Sequence, residues 1–229
     1  IILTYLIVSK NLVPYTRIEF IDIFFENYYI KLFFTLFCIL VLINGSNFID
    51  GVNTLASTYY LIVFGCVLYI KYNYYPEADI LIEKIIILTL FIFLIFNFFG
   101  KSYLGDNGAY LLAFIAAIVS INLANQYITV SPYFIVCLLW YPAFENLFSI
   151  IRKISTKRSP LAPDQNHLHQ LFFHYLYKKF NLEKKYLNSI TAIIINSYNL
   201  LIFYIASNYI FNSQIQIMII IINIFIYSG

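Results

Sequence analysis

Three short stretches hold most of the side chains able to do chemistry. In Asn47-Phe48-Ile49-Asp50-Gly51-Val52-Asn53, one carboxylate stands among carboxamides at the end of an apolar run. An ionised group at that depth is costly unless paired, which gives Asp50 a functional reading. An aspartate capping the next helix accounts for the same spacing. In Leu104-Gly105-Asp106-Asn107-Gly108, an aspartate lies between glycines with Lys101 just upstream. Glycines let backbone approach a ligand closely, and carboxylate oxygens suit Mg2+, which keeps phosphate oxygens among its ligands. A turn followed by a helix cap is the plainer alternative. The third stretch, Arg158 to His169, carries two of the 3 histidines. Its prolines break the chain, Asp164 is a good N-cap, and His167 falls in the first turn of the helix that follows. Free N–H groups and the dipole there favour an anion, and Arg158 makes a pyrophosphate a fitting guest. A solvated basic loop is the alternative. A zinc centre lacks supporting Cys or further His partners. Glu145, inside an apolar run about two helical turns before Arg152, reads as the ion-pair partner of that arginine.

The elements that must position these groups are membrane spans. Of the 229 residues, 62% are hydrophobic and 11% charged, and the mean hydropathy is +0.80. Soluble domains do not have that balance. A spanning helix needs about 20 mostly apolar residues, and the sequence offers a series of runs near that length. They are Tyr28 to Ile43, Leu55 to Ile70, Ile80 to Phe96, Ala109 to Leu123, Tyr133 to Ile151, Leu187 to Ser207 and roughly Ile210 to Ile226. Ile1 to Val8 adds the end of a truncated first span, so the expected fold is an all-α polytopic transmembrane helical bundle of about eight spans, forming a single domain over residues 1–229. Lys10 to Asn27 reads as a loop. Residues 152–186 read as a cytoplasmic segment with an amphipathic helix whose apolar positions are Leu168, Leu171, Phe172, Tyr175 and Leu176. Cys38, Cys66 and Cys137 each sit in an apolar run without metal-binding spacing, which excludes disulfide and metal readings together. A formal charge of +3 gives no reason to expect nucleic acid.

Spans alternate in direction, so the insertions at Asn44, Asn97 and Arg152 emerge on one side. That side carries Lys101, Arg152, Lys153, Lys157, Arg158, Lys178, Lys179, Lys184 and Lys185, most of the 14 basic residues. The other carries Glu19, Asp22, Glu26, Glu77, Asp79 and Glu83, more than half of the 11 acids. By the positive-inside rule, the motif-bearing side is cytoplasmic. An ion-conducting transporter or channel would instead place its polar groups at mid-span. A membrane scaffold without activity is a further alternative.

In this order the motifs resemble those of the polyprenyl-phosphate N-acetylhexosamine-1-phosphate transferases, the glycosyltransferase-4 type that includes WecA and MraY. Asn44 to Gly51 resembles the family's NFIDG loop, Tyr103 to Gly108 its GD-x-G loop, and Ser159 to His169 its SP-x-x-PD-x-NHLH loop. His167-Leu168-His169 is closer to the O-antigen and enterobacterial-antigen branch than to the peptidoglycan branch, whose phospho-MurNAc-pentapeptide transferase remains an alternative. Asn53 and Gln170 stand where many relatives have Asp and His, and the family's paired aspartates belong upstream of Ile1.

The resemblance implies transfer of an N-acetylamino-sugar 1-phosphate from a UDP-sugar to undecaprenyl phosphate with release of UMP, the initiating step of a cell-surface polysaccharide. It implies Mg2+, with Mn2+ as a substitute, and Asp106 as metal ligand. Asp50 and Asp106 become the catalytic acids. Asn47, Asn97 and Lys101 line the nucleotide pocket, and Arg158, Asp164, His167 and His169 hold diphosphate or sugar. The implied setting is the bacterial cytoplasmic (inner) membrane, with the active site on its cytoplasmic face. A homodimeric arrangement is compatible with it.

Overall fold

The computed structural model describes residues 1–157, 159, 166–180 and 183–228, the side chain of Lys185 excepted. Among these the regular structure is helical throughout: α1 (Ile2–Ser9), α2 (Glu19–Phe25), α3 (Tyr28–Ile49), α4 (Leu55–Tyr74), α5 (Leu81–Phe98), α6 (Gly105–Gln126), α7 (Pro132–Leu138), α8 (Trp140–Ser155), α9 (Leu168–Lys179), α10 (Lys184–Ser207) and α11 (Ser213–Ser228). The chain is an all-helical, polytopic membrane protein. Helix α5 shows why water cannot be the solvent. It leaves Leu88, Phe91 and Ile95 about half exposed or more along one face, an apolar strip that only lipid can cover.

Five helices, α3, α4, α5, α6 and α10, are long and apolar enough to cross a bilayer, and α7 with α8 makes a sixth span bent by 76°. The other two expected runs are helices as well: α1, the expected partial first span, has 8 residues, and α11, with 16, is a shorter apolar helix. The expected loop Lys10 to Asn27 contains α2, whose Asp22 carboxylate also accepts from the N–H and hydroxyl of Thr16. The polar insertions are shorter than their composition suggests. Helix α3 continues through Asn44 to Ile49 and α5 through Asn97 to Phe98, because a helix satisfies its backbone whatever the side chains are.

The bend between α7 and α8 has a local cause. Pro142 has no N–H for the carbonyl of Leu138, one turn earlier, and the helix opens there. The Tyr59 hydroxyl of α4 donates to that freed oxygen at 2.7 Å. Helix α3 packs against the far side of the break with no room to spare: a Cβ on Gly45 would lie 1.7 Å from the Pro142 carbonyl oxygen. Asn146 donates to the Val41 carbonyl at 3.1 Å and fixes the register of the pair. Other buried carboxamides tie α10 into the bundle. Asn196 donates to the Leu55 carbonyl at 3.0 Å, and Asn199 accepts from the Trp140 indole at 3.0 Å.

On the face opposite the motifs, the Arg17 guanidinium gathers the turns. It donates to the carbonyls of Ile128, Thr129 and Val130 and to the Ser213 hydroxyl. Ser131 N–H adds a bond to the Ile210 carbonyl at 2.8 Å. This anchors one end of the bundle and leaves the other to the site.

Candidate active site

Asp50 is the C-cap of α3, and Asp106 lies in the first turn of α6. The loop before Asp106 is shaped by two glycines in the left-handed region, Gly100 at φ 65° and Gly105 at φ 66°. Gly100 closes α5 by sending its N–H to the Asn97 carbonyl while Lys101 N–H reaches the Phe96 carbonyl, both at 2.9 Å. This paired pattern ends a helix on a glycine. The turn brings the Gly105 backbone and the Asp106 carboxylate against Asp50. Burial pushes the Asp50 carboxyl up to about 6, a backbone hydrogen bond from Gly105 opposes the rise, and the Asp106 charge adds to it.

Asn97 underlies this junction. Its side chain is nearly sealed from outside, at 4% exposure. Its Oδ1 accepts from the Thr54 N–H at 2.7 Å and the Ser57 hydroxyl at 3.4 Å, and its Nδ2 donates to the Ser102 carbonyl at 2.7 Å. The resemblance puts Asn97 along a nucleotide pocket. The structure places it beneath the two loops, with both ends of its carboxamide engaged by protein.

The third motif arrives from the side. His167, not Asp164, is the N-cap of α9, and the Gln170 side chain accepts from the His167 N–H. Glu145 of α8 accepts from the Leu168 N–H through Oε1 at 3.0 Å, and its Oε2 lies 2.9 Å from His167 Nδ1. The expected pairing of Glu145 with Arg152 is thus corrected: this carboxylate faces the incoming histidine and the start of α9. The His167 ring packs on Phe48, with centroids 4.7 Å apart, and lies nearly parallel to His169, 5.8 Å away. His169 is fully buried, and neither ring nitrogen has a hydrogen-bond partner. Its Nε2 would stand 2.7 Å from a Cβ on Gly51, so only glycine fits there. Desolvation lowers the His169 pKa to about 4, against a raising influence from Glu145 and a lowering one from His167. The ring is neutral at pH 7.

The three motifs therefore meet at one end of the bundle. Asn47 is half-buried on the last turn of α3, whereas Lys101 and Asp106 are exposed. Arg158 and Asp164 lie outside the described residues. Sequence reasoning missed Thr54 and Ser102, whose contribution is a backbone group and leaves no compositional mark. It also took Tyr133 to Ile151 as one straight span, where Pro142 is the residue that marks the break.

Among the described residues there is no cluster of three or more His, Cys, Asp or Glu able to hold a metal. Two carboxylates near one another, Asp50 raised mainly by burial and Asp106 exposed, do suit Mg2+, which takes one or two carboxylates and completes its shell with water and substrate phosphate.

Residues 1–124 match the model of Glycosyl transferase family 4. The chain belongs to this family. The matched region includes both aspartate loops and ends before the histidine motif. Among curated relatives, the chain is 28% identical over 169 residues to a probable undecaprenyl-phosphate N-acetylglucosaminyl 1-phosphate transferase of Bacillus subtilis, covering 72% of this chain and 47% of that protein. It is 30% identical over 151 residues to a decaprenyl-phosphate N-acetylglucosaminephosphotransferase of Mycolicibacterium smegmatis, covering 56% of this chain and 37% of the relative. A shorter match, 29% over 73 residues, is to an undecaprenyl-phosphate alpha-N-acetylglucosaminyl 1-phosphate transferase of Thermotoga maritima. These matches span less than half the length of each of these family members. No solved structure matches the chain.

Proposed function

We propose that the protein transfers an N-acetylamino-sugar 1-phosphate from a UDP-sugar to undecaprenyl phosphate, releasing UMP, at the cytoplasmic face of a bacterial inner membrane. In this reading it starts an O-antigen or related surface polysaccharide. The observation that carries the proposal is the meeting of Asp50 and Asp106 at a membrane-helix boundary, with His169 packed on Gly51 beside them. The names of the relatives point to the same reaction class.

Joining one phosphate to another requires two anions to approach. A bound Mg2+ supplies charge neutralisation for both. Asp106, exposed in the first turn of α6, and Asp50 are the residues that would hold it. The nearby Gly105 backbone favours the charged form of Asp50. Lys101 adds a mobile cation at the rim. The buried, neutral His169 has both nitrogens unspent and can hydrogen-bond a donor's phosphate or sugar if the loop beside Gly51 admits one.

A polyprenyl acceptor needs a path along the bilayer. An apolar groove of about 430 Å³ runs beside α3 from Val13 to Leu147, lined also by residues of α6, α7 and α8. Asp50, Asp106 and His169 do not line this groove, which suits a chain-binding rather than a chemical role. The transporter alternative loses ground on charge placement. Asn199 and Asn223, within the spans, are neutral carboxamides that accept from the Trp140 indole and the Tyr198 hydroxyl, and the buried carboxylate of α8, Glu145, is turned to the start of α9.

The test is to incubate membranes containing the full-length protein with undecaprenyl phosphate, Mg2+ and a panel of labelled UDP-N-acetylamino sugars. Lipid-linked sugar phosphate and UMP should form together with one donor. No UMP from any donor overturns the proposal.

A further inference from the structure

We infer that Asn97 is a positioning residue that holds the two carboxylate loops in register for a divalent cation, an inference that rests on the cation role proposed above for Asp50 and Asp106. The Asn97 side chain bridges the two aspartate loops: it accepts from the Thr54 N–H, a few residues after Asp50, and donates to the Ser102 carbonyl, a few residues before Asp106. At the near ends the Gly105 backbone lies close enough to Asp50 to favour its charged form. Each arm is only a few residues long, so the bridge limits how far the carboxylates can separate.

Two further features show that this bridge sets a geometry and does not merely fill space. Thr54 is held at φ 68°, a left-handed conformation that a β-branched residue rarely adopts. Its N–H is the group that Asn97 accepts from at 2.7 Å. Without that acceptor the strained residue can relax, carrying the flank of Asp50 with it. On the other arm, Ser102 leads into Gly105, which also holds a positive φ. Asn97 is suited to this by residue type: one oxygen accepts from the first loop while one nitrogen donates to the second. Neither Asp nor Leu can do both.

The experiment measures Mn2+ binding by electron paramagnetic resonance on the full-length protein in nanodiscs, with thermal midpoints recorded alongside. Wild type and Asp106→Asn establish the site, which should bind Mn2+ in the first and lose at least tenfold in the second. Asn97→Asp keeps the size and the acceptor contacts to Thr54 and Ser57 but cannot donate to Ser102. It also adds a negative charge, which by electrostatics alone would tighten cation binding. The positioning role requires the opposite, a three- to tenfold weaker affinity, with Asn97→Leu weaker still and Ser57→Ala within twofold of wild type. Unchanged or tighter binding in Asn97→Asp at a wild-type thermal midpoint overturns the inference and leaves the cation site standing. Absence of Mn2+ binding in wild type overturns the cation site and the inference together.

Discussion

Burial is the main penalty on the charged form of Asp50, the Asp106 charge adds to it, and a bound cation would offset both. Asp106→Asn should therefore reduce Mg2+-dependent turnover at least about 100-fold while leaving membrane insertion and thermal midpoint near wild type. Steady-state kinetics across a Mg2+ titration checks this, and unchanged turnover removes Asp106 from the cation site. His169 has a different signature. Its folded pKa of about 4 lies below the unfolded value of about 6.5, so the unfolded chain binds its proton first. Stability from this group is complete above pH 6.5 and is lost as pH falls toward 4, by roughly 3 kcal/mol in all. Asp50 works in the opposite sense over an overlapping range, because its raised pKa of about 6 favours the fold as pH falls. Comparing thermal midpoints of wild type and His169→Asn between pH 7 and 4.5 separates the two. The variant should lose less stability on acidification than wild type does.

At the scale of elements, the tightest joint is α3 against α8. Gly45→Val puts a Cβ into the Pro142 carbonyl, which cannot yield as a side chain would. The expected cost is about 3 kcal/mol or more, read as a lowered thermal midpoint and less folded protein recovered from membranes. Gly65, whose added Cβ would meet nothing within 4 Å, is the control position: Gly65→Ala should be close to neutral. Glu145 is the corresponding joint for α9. Its Leu168 contact survives in Glu145→Gln, but the carboxylate facing His167 is gone.

Across the whole molecule, the three motifs fall on one end because spans alternate, and the basic residues fall with them. Single cysteines at Lys101 and Asp79, in a background lacking Cys38, Cys66 and Cys137, should label from opposite sides of the membrane. A membrane-impermeant maleimide added to intact cells reaches position 79 and not position 101. Labelling of both, or of 101 alone, overturns the orientation.

The same alternation explains what was legible in the sequence. Spans appear as apolar runs, and the loops they bring together follow from counting. The bend at Pro142 was less visible because hydropathy does not register a missing N–H, and the hydroxyl that repairs it belongs to Tyr59 in another span. Candidates were legible where a residue type could carry chemistry, as with Asp50, Asp106 and His169, which the structure places at one end of the bundle. The site was not legible where the partner is a backbone atom, as with Asn97 at Thr54 and Ser102. Glu145 was misassigned because a helical-face argument sees only its own helix, and His167 comes from the next.

The Gly45 contact also has a consequence in time. The helix that fits it is made about a hundred residues later, which at roughly 5–20 residues per second leaves an interval of some 5–20 s. Through that interval the notch in α3 borders lipid, or the same notch on a neighbouring nascent chain. Both aspartate loops are complete by then, so α8 docks on two finished arms of the site and sets Glu145 in place to meet the histidines that follow it.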